Sequence, residues 1–156
     1  MRSVGLDLGT QRIGVAVSDT SGLLASPRTI IERSGDQARD WAEIEAIVTE
    51  VGAEVLVVGV PVSLDGRSDR STATAATAEG RAIGEKLGVA VELQDERLTT
   101  ALAMRLGHVT AAGDPSGAPR KARRRKAGPR KRRYDADAAA LILQSWLDSR
   151  RESSAP

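Results

Sequence analysis

Residues 2–18 read RSVGLDLGTQRIGVAVS, and the reading of the fold starts from them. The runs RSVGLDL at 2–8 and RIGVAVS at 12–18 are rich in Val, Leu and Ile, as strands are. The GTQ link between them is short and contains glycine, which predicts an antiparallel hairpin. A third strand is expected over 23–32, with Pro27 marking an edge or a bend, since proline offers no N–H to a ladder. Downstream, Trp41, Ile44, Val48 and Val51 recur at helical spacing, so 36–51 reads as an amphipathic helix. EVLVVGV at 54–60 looks like a buried parallel strand. A Gly/Pro loop follows, then an Ala/Thr-rich helix over 68–87 ending near Gly88. VAVEL at 89–93 reads as another buried strand, a short helix is expected over about 98–106, and a last helix over about 134–149. The order β-β-β-α-β-α-β-α predicts an α/β fold with a mixed five-stranded sheet flanked by helices, the first strand central beside parallel neighbours.

The 156 residues suit one domain, expected over 1–149, with 150–156 as a disordered tail. Cysteine is absent, which excludes disulfides, thiolate catalysis and Cys-type zinc sites and fits a reducing, cytoplasmic setting. His108 is the one histidine, so a Ser-His-Asp triad has no other imidazole to use; in its polar stretch it reads as a solvated loop residue. No apolar run approaches a membrane span, and the N-terminus enters a strand pattern rather than a signal peptide.

Charge is distributed unevenly. Residues 120–133 read RKARRRKAGPRKRR, ten of them Lys or Arg; without those ten, 13 basic residues face 21 acidic ones, a net of −8. The basicity belongs to one segment on an acidic body. Such a block repels itself and attracts polyphosphate, so 107–133 is expected to be a flexible basic loop with nucleic acid as its partner. Aromatic residues are only 2% of the chain, too few for a stacking platform, so charge and backbone shape would have to hold the strand.

Three acids stand out. Winding YDADAAALILQSWLDS (134–149) at 3.6 residues per turn puts Ala139, Ile142 and Trp146 on one face with Asp135 in its middle, while Asp137, Gln144 and Asp148 take the opposite face. A carboxylate turned toward a core needs compensation, and a metal ion would supply it; capping the helix is the alternative for Asp135. Asp7 lies within an apolar strand expected to be central. Asp95 and Glu96 lie where a strand gives way to a helix, and since adjacent strand residues point oppositely, only one of them would face a common site. Carboxylates from separated segments suit two-metal phosphoryl chemistry, with Mg²⁺ or Mn²⁺ as the hard cation. Arg12 and Arg97 flank these acids, to grip phosphate or to orient the carboxylates by local salt bridges.

These residues resemble the YqgF/RuvX family, through GLDLGTQRIGVAVSD at 5–19, VVGVPVSLDG at 57–66, DERLTT at 95–100 and YDADAAALILQSWL at 134–147. The resemblance spans nearly the whole chain in the family's order. It implies an RNase H-like fold akin to RuvC-type Holliday junction resolvases and a nuclease that matures the 5′ end of pre-16S rRNA. It also implies catalytic, metal-binding acids at Asp7, Glu96 (with Asp95 as alternate) and Asp135. The charge distribution, apart from the resemblance, gives Arg12, Arg97, Arg123, Arg124, Arg125 and Lys131 as the expected nucleic-acid contacts. Two departures stand: the link before the last helix is longer and more basic than usual, and no acid ends the 54–60 strand, so Glu96 must substitute for it. A Holliday junction resolvase acting on branched DNA would need a homodimer for symmetric cuts, whereas an rRNA nuclease could be a monomer. Two other readings compete. GLDLGT also resembles the phosphate loop of the actin, Hsp70 and sugar-kinase group, which needs two such domains. A non-catalytic nucleic-acid binder would suit the basic loop but not the acids, which repel phosphate unless metals intervene.

Neutralising Arg123, Arg124 and Arg125 together is expected to weaken nucleic-acid binding across all sequences, with the loss shrinking at high salt because counterion release drives the contact. Filter binding over a salt series checks it; a changed sequence preference at unchanged salt dependence would contradict this account of the loop.

Overall fold

The computed structural model describes residues 1–61, 70–95 and 129–154, with side chains in its last helix described from Ala136. Calls that fall elsewhere, including the 98–106 helix and most of the basic loop, lie outside the described residues. The hairpin forms as expected: β1 (Ser3–Leu8) pairs antiparallel with β2 (Arg12–Ser18), in register Leu6↔Val15 and Asp7↔Gly14. β2 pairs in turn with β3 (Ala25–Glu32). That ladder shifts between Val15↔Thr29 and Ala16↔Pro27, which leaves Arg28 as the extra residue of a bulge. Pro27 therefore sits on an edge strand at an irregularity, where its missing N–H costs least.

Helix α1 (Gln37–Val51) begins where the Asp36 carboxylate accepts the N–H groups of Ala38 and Arg39. It ends at Gly52, whose φ of 66° is the left-handed conformation that lets the last carbonyls bond back into the turn. The chain then enters β4 (Val55–Val60), parallel to β1, and α2 (Arg70–Leu87) returns it to β5 (Ala90–Asp95), parallel to β4. The sheet order is β3-β2-β1-β4-β5, mixed and five-stranded as predicted, with β1 in the middle.

Alternation along the strands builds two cores. Val4, Leu6, Leu8, Ile13, Val15, Leu56 and Val58 point to one face, where Ile44, Ile47 and Val48 of α1 and Ile83 of α2 cover them. Ala16, Val55 and Val57 point to the other face and meet Ala139, Ile142, Leu143, Trp146 and Leu147 of α3 (Pro129–Ser154). This is the stripe that the helical wheel assigned to the core.

Three expectations need correction. β5 is an edge strand, longer by two residues at its C-terminal end than expected, and mostly exposed rather than buried. Among the described residues its only strand neighbour is β4, so its other edge is unpaired there. The last helix starts at Pro129, inside the basic segment where no helix was expected; proline's fixed φ suits a first helical position. It also runs past 149 through Ser154, so 150–154 is helix and not a frayed tail. Arg151 favours the helix C-terminus electrostatically and pairs with Asp148, and Arg150 stacks 5.0 Å from the Trp146 ring centre.

The position of α3 is fixed at Gly5. A Cβ built there would lie 2.8 Å from Leu143 Cβ and 3.0 Å from the Ala139 carbonyl oxygen, neither of which can swing away. Gly5→Ala is expected to lower stability by about 1–3 kcal/mol through forced separation of helix and sheet. Urea denaturation measures it; an unchanged midpoint would mean that α3 rides higher than described.

Candidate functional site

Asp7 takes its orientation from the pleat. Gly5, two residues earlier, faces α3, so Asp7 faces it too, while Leu6 and Leu8 point into the α1/α2 core. Its flanks are both glycine. Gly14 is its partner in β2, and continuing the Leu6↔Val58 register puts Gly59 of β4 alongside it. Neither neighbour in this row carries a Cβ, and the Asp7 side chain is half-buried. Gly59 pairs with Gln94 of β5, whose side-chain amide donates to Ser145 Oγ of α3 at 3.2 Å. Gln94 thus lies on the α3 face, and alternation turns Asp95 to the opposite face, in the row of Val60.

The helix above this row runs from the Asp7 end of β1 toward its Ser3 end. Ala139 and Leu143 back onto Gly5, and Gln144 reaches Ala25 N–H at 2.9 Å and the Leu23 carbonyl at 3.0 Å. Ala25 pairs with Ser18, whose Oγ accepts the Ser3 N–H, so that contact marks the far end of the sheet. Asp135 precedes Ala139 by four residues in the same helix, and Asp137 is exposed, as the wheel predicted for it.

Of the other candidate residues, Arg12 opens β2 and lines an open pocket of about 510 Å³ together with Thr10, Gln11, Glu32, Arg33 and Gly35. Glu32 is its cross-strand partner. Lys131 lies in the first turns of α3. Glu96, Arg97, Arg123, Arg124 and Arg125 lie outside the described residues. Among the described residues no three His, Cys, Asp or Glu side chains gather as a metal cage. The donor chemistry nevertheless fits a hard cation, because a carboxylate supplies hard oxygen ligands.

Sequence reasoning missed the group that holds the loop after Asp7. Gly9 N–H donates to the Asp7 carbonyl at 3.1 Å, closing a tight turn. Arg33 Nε donates to the Gly9 carbonyl at 2.8 Å, and Arg33 N–H to the Gln11 carbonyl at 2.9 Å. The guanidinium Nη1 and Nη2 atoms grip both oxygens of Glu79 in α2, at 2.9 and 2.8 Å, and Trp41 Nε1 of α1 donates to the same carboxylate at 3.1 Å. Next to them the Asp40 carboxylate accepts Ser34 N–H and Oγ, bonds that hold its carboxyl below the ordinary value. These partners are up to 46 residues apart in sequence. No local pattern signals them, although Asp40 and Trp41 in the first turn of an otherwise apolar-faced helix hinted at polar neighbours. At the other end of β2, the Asp19 carboxyl is lowered to about 2 by Ser21 Oγ and the N–H groups of Leu24 and Leu23, so that acid serves the β2–β3 turn.

Burial pushes the Glu79 carboxyl up, but the Arg33 and Trp41 donors outweigh it and hold it below its ordinary value. A carboxyl depressed in the folded state contributes stability at neutral pH, which is lost as pH falls through its folded value. The thermal midpoint should therefore decline on acidification below about pH 4.5, and Glu79→Gln should flatten that decline while lowering the midpoint at pH 7. Scanning calorimetry from pH 7 to pH 3 checks it; parallel curves for the two proteins would contradict the assignment.

The family described as RuvX: Holliday junction resolvase matches residues 1–149. A relative from Myxococcus xanthus, named "Putative pre-16S rRNA nuclease", is 40% identical over 151 residues, covering 97% of this chain and 90% of its own. One of the same name from Leifsonia xyli is 40% identical over 153 residues, covering 98% and 89%. Among solved structures, T. thermophilus RuvC in complex with a Holliday junction substrate matches with a TM-score of 0.57 at 16% identity, over 97% of this chain and 96% of that one. The fowlpox virus Holliday junction resolvase matches with a TM-score of 0.50 at 13% identity, over 96% and 99%. The fold is RNase H-like, of the RuvC type, and the chain belongs to the RuvX (YqgF) family.

Proposed function

We propose that this protein is a metal-dependent nuclease that hydrolyses phosphodiesters of structured nucleic acid, processing the 5′ end of pre-16S rRNA. The observation that carries the reading is the placement of Asp7: a central-strand carboxylate, flanked by Gly14 and Gly59, under the end of α3 that leads to Asp135. The names of the relatives support the RNA substrate. Asp7, Glu96 and Asp135 would hold Mg²⁺ or Mn²⁺. Glu96 is preferred over Asp95 because the pleat turns Asp95 to the α2 side of the sheet. A bound divalent ion there would activate water and offset charge on the leaving oxygen.

The chain's own residues do the rest. Asp7 lies on β1 and Asp135 on α3, so the packing of α3 on Gly5 would set their spacing. Arg12, with Thr10 and Gln11 at the mouth of the pocket, would hold a phosphate next to the scissile one. Arg97, Arg123, Arg124, Arg125 and Lys131 would neutralise the backbone on either side. The family description favours a second reading, resolution of Holliday junctions, which a two-fold dimer would carry out. We assign the protein to the cytoplasm with its rRNA substrate; no helix among the described residues is long and apolar enough to cross a membrane.

The purified protein, given a 5′-extended 16S precursor or a four-way DNA junction with Mg²⁺, Mn²⁺ or EDTA, should cleave the RNA only with metal. Asp7→Asn should lower the rate by roughly a hundredfold or more while leaving the fold intact by circular dichroism. Cleavage that survives EDTA or Asp7→Asn would refute the enzyme reading. Binding without cleavage under every metal condition would make the protein a binder, junction cutting by a dimer would establish the resolvase, and ATP hydrolysis would point to the kinase-like relation.

A further inference from the structure

We infer that Arg33 is a positioning residue for Asp7, acting through the β1–β2 turn and held in place by Glu79 and Trp41; this rests on the nuclease reading above. Asp7 is the second-last residue of β1, and the strand ends in a turn closed by Gly9 N–H on the Asp7 carbonyl. That turn is gripped from outside at two points, both on Arg33: Nε on the Gly9 carbonyl and the backbone N–H on the Gln11 carbonyl. A turn of this length on the solvent side of a sheet would otherwise sample several conformations, and each would move the Asp7 backbone.

The grip is rigid because each guanidinium nitrogen is engaged. Its three nitrogens have three directed partners: Gly9 O for Nε, and the two Glu79 oxygens for Nη1 and Nη2. A planar fork held at all three points cannot rotate. Glu79 is in turn oriented by the Trp41 indole, so the loop is referred to α1 and α2, on the face of the sheet opposite α3. The pair is largely withdrawn from solvent, with side-chain exposures of 20% for Arg33 and 14% for Glu79, so water screens it little. Lysine at 33 could keep one charge contact with Glu79, but one ammonium cannot also reach Gly9 O from the same geometry.

The test separates position from stability. Three proteins are compared: wild type, Arg33→Lys and Gly52→Ala, the last of which strains the left-handed C-cap of α1 and takes no part in the bonds of Arg33. Arg33→Lys should lower single-turnover cleavage of the 5′-extended precursor by about ten- to a hundredfold, with the substrate Kd in EDTA within about twofold of wild type. Hydrogen exchange in the peptide spanning 8–14 should speed up in Arg33→Lys alone. Gly52→Ala should lose thermal stability and keep its cleavage rate within about threefold. Wild-type rate and wild-type exchange in Arg33→Lys would overturn the inference, as would an equal loss of rate in Gly52→Ala. If wild type cleaves neither RNA nor junction, the nuclease reading fails by itself, and exchange at 8–14 alone decides whether Arg33 anchors the turn.

Discussion

The close approach of α3 to Gly5 sets how low the helix sits on the middle of the sheet, and the rest of the molecule follows from that distance. Because Gly5 has no side chain, Ala139 and Leu143 come down to the backbone of β1. Ile142, Trp146 and Leu147 can then fill the space over Ala16, Val55 and Val57. Close packing of this kind transmits a displacement of a few tenths of an ångström to every neighbour. One row further along β1 the sheet itself carries Gly14, Asp7 and Gly59 in place of apolar side chains. A strand built for packing alone would continue the Val and Leu there. A half-buried carboxylate in the central strand is costly unless it is partnered, and the proposed metal would be such a partner.

The ion pairs differ in what they can do, and exposure separates them. Arg28–Glu50 and Lys86–Glu45 lie in water, with side-chain exposures of 43% and 60%, and of 45% and 50%. Such pairs contribute little to stability. Arg33–Glu79 is bidentate, largely buried and tied to a backbone carbonyl as well as to an indole. Deleting one partner there would strand a charge away from water, so its energetic weight lies in specifying one geometry rather than in net attraction. The geometry it specifies is that of the turn following Asp7, on the side of the sheet that α3 does not touch.

What the sequence disclosed, and what it did not, divides along the range of the interactions. The hairpin at 2–18, the α1 helix over 36–51, the α2 stop at Gly88 and the apolar stripe of α3 are local signals, and each could be read from spacing alone. The facing of Asp137 was equally readable from the helix period. VAVEL was read as buried because its composition is that of a core strand; its place at the sheet edge depends on strand order, which no window of residues contains. The start of α3 was hidden by the charge run, whose composition suggests disorder even though proline at 129 begins a helix. Arg33, Glu79 and Trp41 were invisible as a group, since their meeting depends on the parallel crossover that brings α2 beside the hairpin. Whether Glu96 and Asp135 join Asp7 remains a proposal, carried by the facing of Gln94 and by the course of α3.

The placement of charge within α3 is its own physical problem. The helix opens PRKRR, with no acid in its first turn, so four cations crowd the end at which the helix dipole is already positive. Left alone, that end destabilises itself, and the acidic body of the chain is only a diffuse remedy. A phosphate backbone laid across it would relieve both the dipole and the cations at once. On the proposed reading, residues 130–133 precede Asp135 by two to five positions, about 3–8 Å along the axis. One rigid element then carries the groups that attract a polyanion and a carboxylate that would repel it. There the cations would bring the backbone near, and the carboxylates, which without an ion would push it away, would make cleavage conditional on a shared divalent cation.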